Sequence, residues 1–337
     1  ALWSPSTGTI DVAGTLTLPG GNKTFVSRHS RNAGIGGSLV AISDLKDSTT
    51  VSTRLASPIV VETRTAPNVS LGNVPVDFSI SSAPQRATGF KFLSKDSQTN
   101  SFGRASAEFL LGDIPLEYDI KASCPSCVGS SNSVNFRICG KLPGELYRQN
   151  KNADGKQDYI GDRLADSDDP SDSIEHRGCT LTAFTMLLNI FRSRYNLSYP
   201  ESTPGTLNRA LTPSGFSPVA RLNLRTATPL FTGTQVRYLD GYDVGLFADY
   251  RDVMTHVDSS LELGNPALIR LQSSTGALGH FVTVIGRCGN GYWVLDPYTK
   301  TNHSFIDLSD LGTKVILGVR IAPGGRRLAC FCRRRRR

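Results

Sequence analysis

The sequence predicts a multidomain protein in which an all-β part is followed by an α+β part. Three observations support this division: apolar and polar residues alternate up to about residue 145, one strongly apolar helix begins at Cys179, and apolar strands follow from Ala267 onward. The 337 residues suffice for two or three compact domains, and 39% hydrophobic residues are typical of a folding chain. No apolar run reaches the roughly 18 residues of a membrane-spanning helix.

The first part of the chain has the period-2 pattern of half-buried strands. Alternating runs cover residues 74–80, 105–111, 116–122 and 134–138. Clusters of turn-forming residues separate these runs at 96–103, 112–115 and 125–133. Short strands at this spacing predict a β-sandwich. Residues 1–60 are also rich in strand-like segments but are left unassigned.

Residues of this region are similar to bacterial Ig-like domains of the invasin/intimin type. The similar segments are Asn73-Val74-Pro75-Val76-Asp77-Phe78-Ser79-Ile80, Thr99 to Ala105, and Gly112 to Ile120. The resemblance covers about 60–140 and implies an Ig-like sandwich over 61–142. It further implies a spacer or adhesion module on a secreted or cell-surface bacterial protein.

The second part of the chain opens with an acidic connector and continues with helices before strands. Aspartates are frequent between residues 150 and 172, and the order of ligands in an EF-hand is not met, so a solvated loop is expected. Helices are predicted over 179–195, from Thr203, and over 250–263. Strands are predicted over 267–271, 281–285, 292–295 and 315–321.

The positive charge of the chain is concentrated at its end. The net charge is +8, but seven arginines lie in the last twelve residues, and without them 30 basic residues face 29 acidic ones. The segment 323–337 is therefore expected to be a disordered basic tail that contacts polyanions or a cell surface. A specific nucleic-acid interface would need a basic face with stacking aromatics, and none is predicted.

Seven cysteines leave at least one thiol unpaired. Cys124 and Cys127 have the spacing of a zinc knuckle, but a structural zinc site needs a second pair, and Cys330 with Cys332 is a poor one. A local disulfide or free thiols are favoured, which suits an exported protein. The pairing of Cys139 is left open.

Three residues far apart in the sequence could form a nucleophilic centre. Cys179 stands at the start of a helix, where the macrodipole stabilises a thiolate. His280 begins an apolar strand and Asp296 ends the next one, so adjacent antiparallel strands can bring the two side by side. His176 also precedes Cys179 but is expected to face solvent. No histidine has the spacing of a metal ligand, so neither a metal nor a cofactor is expected.

These segments resemble papain-like cysteine peptidases of the bacteriocin-processing type over about 143–322. The similar motifs are Gly178-Cys179-Thr180-Leu181-Thr182-Ala183, Gly279-His280-Phe281-Val282 and Leu295-Asp296-Pro297. The resemblance implies that Cys179 is the nucleophile, His280 the general base and acid, and Asp296 the orienting residue. It also implies an upstream glutamine as oxyanion donor, for which Gln149 is preferred and Gln157 is the alternative.

The sequence thus predicts a peptidase that hydrolyses peptide bonds through a thioester on Cys179, carried on an Ig-like spacer. Its partner would be a peptide or protein substrate, and the resemblance suggests cleavage after small residues such as Gly-Gly. No phosphate-binding loop of an ATPase is present. Two alternatives remain: a non-catalytic surface or adhesion protein whose papain-like domain binds peptides, and an amidase or transglutaminase-like acyl transferase.

Overall fold

The computed structural model describes residues 9–18, 21–30, 37–65, 69–127, 131–149, 161–217, 221–243, 250–271, 279–298, 304–307 and 315–323. In chain order its elements are β1 (Thr9–Leu18), β2 (Gly21–Ser30), β3 (Gly37–Ala41), β4 (Lys46–Thr50), β5 (Ile59–Thr65), β6 (Val69–Ser70), β7 (Asp77–Ser82), β8 (Lys91–Lys95), β9 (Arg104–Leu110), β10 (Glu117–Ser123), β11 (Ser133–Lys141), α1 (Ile174–Arg177), α2 (Cys179–Tyr195), α3 (Pro204–Leu211), α4 (Leu224–Thr232), β12 (Val236–Asp243), α5 (Tyr250–Glu262), β13 (Ala267–Leu271), β14 (His280–Cys288), β15 (Gly291–Leu295), β16 (Ser304–Asp307) and β17 (Val315–Pro323). Strands outnumber helices along the described part of the chain.

The first two strands form an antiparallel hairpin, and the next nine form a β-sandwich. Its sheets have the strand orders β4-β11-β10-β7 and β3-β5-β9-β8, with β6 added at β5. Alternate side chains of both sheets point into one apolar core, as the period-2 pattern predicts. Across this core the rings of Phe109 and Tyr118 meet edge to face, with centroids 6.3 Å apart.

The sandwich begins earlier in the chain than residue 61. Strand β3 pairs with β5, and β4 pairs in parallel with β11, so residues 37–50 belong to the two sheets. The sequence Lys46-Asp47-Ser48-Thr49-Thr50 of β4 is polar throughout. Strand β4 lies at the edge of its sheet, where little apolar surface is buried. Apolar and polar residues therefore do not alternate along this strand.

The second unit is a six-stranded antiparallel sheet with helices on both faces. The strand order is β12-β17-β13-β14-β15-β16. Alternate residues of the central strands enter two separate cores, one with α2 and one with α5. Ile285 faces α2, whereas Val282 and Val284 face α5. This explains why β14 is apolar almost without interruption.

A covalent bond and backbone hydrogen bonds join the sandwich to the second unit. Cys139 of β11 and Cys288 of β14 form a disulfide. The Leu142 N–H donates to the Ile285 carbonyl at 2.8 Å, and the Arg287 N–H donates to Pro115 at 3.1 Å. Two strands that are 149 residues apart in sequence are therefore fixed together.

The remaining described cysteines comprise one disulfide and one free thiol. Cys124 and Cys127 form the short-range disulfide that the sequence favoured over a zinc site. Cys179 is free. Cys330 and Cys332 lie outside the described residues, as does the whole arginine-rich tail.

The described end of the acidic connector differs from the solvated loop expected there. Residues 161–172 contain two short 3-10 turns, Leu164–Asp166 and Pro170–Asp172. Asp172 is buried, accepts a hydrogen bond from Ser167, and forms an ion pair with Arg177. The ion pair attaches this segment to α1, directly before α2.

Candidate active site

Cys179 is the first residue of α2, and glycine is required immediately before it. Helix α1 ends at Arg177, and the Gly178 N–H closes it by donating to the Ile174 carbonyl at 2.9 Å. A Cβ atom on Gly178 would lie 2.4 Å from that carbonyl oxygen. Only a residue without a side chain allows α1 and α2 to follow each other this closely. The thiol thus lies at the positive end of a helix of 17 residues.

The helix that carries Cys179 is fixed against the strand that carries His280. The Thr283 hydroxyl of β14 donates to the Ala183 carbonyl of α2 at 2.7 Å, and both groups are buried. A buried carbonyl of a helix ordinarily accepts only from within the helix, so this bond ties one turn of α2 to one position of β14. The position of the thiol relative to the imidazole is set by this contact.

His280 and Asp296 lie together at one end of the sheet. In the antiparallel pair β14–β15, Thr283 lies opposite Leu295, which brings the start of β14 beside the end of β15. The His280 Nε2 atom is 2.6 Å from Asp296 Oδ1. The same carboxylate oxygen accepts the Tyr298 N–H at 2.8 Å. The Tyr298 ring meets the imidazole edge to face at 4.9 Å between centroids.

The Cys179 sulfur lies next to the backbone that leads into His280. The Cys179 Sγ atom is 4.0 Å from the Gly279 carbonyl oxygen, the residue before His280. The thiol interacts with the ring, but His280 Nδ1 is buried and has no fully formed hydrogen bond. This nitrogen is thus left for exchange of a proton with the sulfur. Contacts of this kind are often loose in a free enzyme and tighten when substrate binds.

The surroundings of Cys179 and His280 shift the pKa of both groups. Burial alone would raise the pKa of the Cys179 thiol, but contacts with His280, the Phe281 backbone and the Thr180 hydroxyl lower it overall. Burial opposes protonation of His280, yet the Asp296 hydrogen bond and the neighbouring sulfur raise its pKa to about 9. Both shifts favour a thiolate beside an imidazolium, the state in which a cysteine attacks carbonyl groups.

Gln149 lies in the same cavity as the thiol, as its proposed role requires. Its N–H donates to the Pro297 carbonyl at 3.2 Å, and its side chain is fully buried. The amide Nε2 atom donates to the Glu175 carbonyl at 3.2 Å. The bond to Glu175 uses one of the two amide hydrogens, and the Oε1 atom is buried without a hydrogen-bond partner among the described residues. The alternative, Gln157, lies outside the described residues.

A cavity of about 420 Å³ opens beside these groups. Gln149, Cys179, His280 and Tyr298 line it together with apolar side chains from the segment before α4. The volume fits a few residues of an extended peptide. His176 also borders the cavity, but it is exposed and its Nδ1 atom pairs with the Ser173 hydroxyl at 2.7 Å, so it is not positioned as the base.

Tyr298 and Arg270 are among the lining residues that were not predicted from the sequence. Tyr298 follows Asp296 by two positions, so its ring is placed by the same turn that places the carboxylate. The pairing of β13 with β14 brings Arg270 to the cavity, because Arg270 lies opposite Phe281 in that pair. The Tyr298 position could be found from its spacing to Asp296. The Arg270 position depends on strand register, which a single sequence does not contain.

No protein-family model matches this chain, and no curated protein matches it. Among solved structures, the D0–D1 domain of intimin is 16% identical over 33% of this chain and 52% of that one, with a TM-score of 0.23. The Yersinia pseudotuberculosis adhesin InvE is 10% identical over 92% of this chain and 78% of that one, with a TM-score of 0.28. The Escherichia coli adhesin FdeC is 8% identical over 42% and 43%, with a TM-score of 0.25.

The alignments with intimin and FdeC cover only about half of those chains or less. TM-scores of this size carry no argument about the function of this chain. Within the described ranges, no helix combines the length and the apolar character needed to cross a bilayer.

Proposed function

We propose that this protein is a cysteine-type peptidase that hydrolyses peptide bonds through a thioester on Cys179. The observation that supports this most directly is the convergence of Cys179, His280 and Asp296, with pKa shifts of thiol and imidazole that favour an ion pair. Three such residues from α2, β14 and the end of β15 have no need to meet in a purely structural role.

In the proposed reaction the Cys179 thiolate attacks the carbonyl carbon of the scissile bond. The negative charge moves to the carbonyl oxygen, which Gln149 Nε2 and the Cys179 N–H would stabilise. His280 then gives its proton to the departing amine, and the C–N bond breaks to leave a thioester. A water molecule attacks the thioester while His280 takes its proton, and the carboxylic acid leaves as the thiolate is restored.

Thiol labelling of Cys179 tests the proposal at its first step. The wild-type chain and a Cys179→Ala variant are treated with iodoacetamide, and the labelled peptides are identified by mass spectrometry. We expect rapid modification of Cys179 at pH 7, slowed about tenfold or more in His280→Ala, because the neutral thiol is a poor nucleophile. A Cys179 thiol no more reactive than a free cysteine contradicts the proposal. Digestion of a peptide library then identifies the bond that is cleaved.

The second candidate function is that of an exported bacterial surface or adhesion protein. Its second unit would bind peptides without cleaving them. FdeC and InvE, two of the solved structures named above, are adhesins. The two candidates differ in one measurement. An adhesion protein would bind a library peptide equally well with Cys179→Ala and would release no cleavage product.

An amidase or a transglutaminase-like acyl transferase would share the labelling result, since each forms the same thioester. The nature of the acyl acceptor separates them from a peptidase. Release of a new α-amino group from a library peptide supports hydrolysis of a peptide bond. Release of ammonia from a glutamine side chain supports the other two reactions.

A further inference from the structure

The cavity beside Cys179 is positively charged. The described residues that line it include four arginines and no aspartate or glutamate; the arginines are Arg177, Arg221, Arg225 and Arg270. Arg177 is already paired with Asp172. Arg221 and Arg225 lie in and before the first turn of α4, so they flank a helix N-terminus, which adds positive potential to the same opening. An anionic ligand is therefore favoured over a neutral or cationic one.

Arg270 lines the cavity next to the residue that precedes His280. It lies on β13 opposite Phe281, and its guanidinium carbon is 6.0 Å from the centre of that ring. A Cβ atom on Gly279 would lie 2.6 Å from Arg270 Nε, so the guanidinium rests directly on this glycine. The carbonyl of the same glycine is 4.0 Å from the Cys179 sulfur. A substrate whose carbonyl reaches the sulfur therefore places a neighbouring group near Arg270.

The guanidinium of Arg270 is not fully satisfied by the protein. Its Nε atom is buried and has no hydrogen-bond partner among the residues that the structure describes. A buried donor without a partner is costly, and the cost is removed when a ligand supplies an acceptor. A carboxylate is the acceptor that matches a guanidinium in both charge and geometry.

We infer that the peptidase selects substrates with a carboxylate next to the scissile bond and binds this carboxylate with Arg270. Arg221 and Arg225 attract the charged segment at the rim of the cavity. The inference rests on the proposed function and specifies its substrate class. The carboxylate could come from an internal aspartate or glutamate or from the end of a peptide, and the experiment below separates these sources.

A pair of thiol reagents tests the charge of the cavity without a known substrate. Iodoacetate and iodoacetamide differ by one negative charge, and both alkylate a thiolate. The measured quantity is the rate of alkylation of Cys179 by iodoacetate divided by the rate by iodoacetamide. We expect this ratio to fall about tenfold in Arg270→Gln, because the positive charge that attracts iodoacetate is lost. The ratio should be kept in Arg270→Lys and unchanged in the exposed control Arg86→Gln. The ratio should also fall as salt is added.

The two reagents separate failure of the inference from failure of the proposed function. If iodoacetamide does not label Cys179 faster than a free cysteine, the proposed function fails, and the inference fails with it. If iodoacetamide labels Cys179 rapidly but the ratio is the same in Arg270→Gln as in the wild type, only the inference is overturned. Circular dichroism and thermal denaturation show, independently of labelling, whether Arg270→Gln is folded.

Matched peptides then identify the source of the carboxylate. The peptides of one series have both ends blocked and carry Glu, Gln or Lys next to the cleaved bond. In the second series the peptide ends at that position, with either a free carboxylate or an amide. We expect kcat/KM to be about tenfold higher for the carboxylate member of one series, and Arg270→Glu to invert the preference toward Lys. Equal cleavage of all members in both series overturns the inference.

Discussion

At the scale of single residues, the charge of one side chain at the candidate site depends on the others. Asp296 holds the imidazole of His280 through one short hydrogen bond, and the resulting positive charge favours the thiolate form of Cys179. The carboxylate thus acts on the sulfur through the ring, without touching it. The pH at which the site works should therefore report on Cys179 and His280.

The pH dependence of the proposed peptidase activity follows from these shifts. The active thiolate–imidazolium pair requires a pH above the lowered pKa of Cys179 and below the pKa of His280, which is raised to about 9. We expect a bell-shaped profile whose basic limb lies near pH 9. In Asp296→Asn the loss of the negative charge lowers the pKa of His280, so the basic limb should move to lower pH.

The profile is measured as kcat/KM for a library-derived peptide, with the exposed Asp44→Asn as the control. A basic limb that stays in place in Asp296→Asn would contradict the role given to this carboxylate.

Gln149 can be tested separately from the nucleophile. In Gln149→Ala the oxyanion loses one donor, so kcat should fall about 100- to 1000-fold while the rate of iodoacetamide labelling of Cys179 stays within about twofold. The exposed Gln85→Ala serves as the control. A parallel loss of labelling and activity would mean that Gln149 only supports the fold of the site.

At the scale of elements, the site depends on how α2 is placed on the sheet. Gly178 allows α2 to begin directly after α1, and Thr283 fixes the helix to β14. These contacts lie next to the reacting groups but do not touch a substrate. Their loss should therefore change stability and geometry together.

Gly178→Ala tests the close approach of α1 and α2. The new methyl group would overlap the Ile174 carbonyl, so the two helices must separate. We expect a free energy of unfolding lower by about 1–3 kcal/mol and slower labelling of Cys179. Gly161→Ala is the matched control, because nothing lies within 4 Å of its added Cβ atom. Chemical denaturation and labelling kinetics measure both effects, and equal behaviour of the two variants would contradict this account.

The elements nearest the site could be predicted because their patterns are strong. The apolar spacing from Cys179 to Tyr195 matches α2, and Thr203 caps α3 as its sequence predicts. The apolar runs that end or begin at His280 and Asp296 match β14 and β15. The order of the three motifs along the chain then predicted that Cys179, His280 and Asp296 meet.

Other elements have no comparable signal. Helix α4 contains Pro229 in its interior, which favours a turn or a helix end in a sequence taken alone. Strands β12 and β16 were also not predicted, and they lie at the two edges of the sheet. The lining residue Arg270 could not be identified, because its neighbours are fixed by the register of β13 against β14 and β17.

At the scale of the whole molecule, the sandwich and the second unit are linked at β11 and β14. The link combines a disulfide with two backbone hydrogen bonds. Gly286 is part of this contact, because a Cβ atom there would lie 2.4 Å from the Gly140 carbonyl. The two units are thus in direct backbone contact.

The disulfide between Cys139 and Cys288 should contribute far more stability than the one between Cys124 and Cys127. The first closes a loop over a separation of 149 residues and the second over a separation of 3. In the chain-entropy model these correspond to about 5 and about 2 kcal/mol. The paired serine variants should therefore differ clearly in Tm, with the larger loss for Cys139→Ser/Cys288→Ser. Calorimetry measures this difference, and equal losses would contradict it.

The position of that disulfide also determines what a single proteolytic cut can do. Any one peptide bond broken between Cys139 and Cys288 leaves both fragments covalently attached through sulfur. The fragment that ends after Gln149 and the fragment that carries His280 would migrate as one species on a gel until a reductant is added. Nicking of the chain in this interval therefore does not release the sandwich from the strand that carries His280.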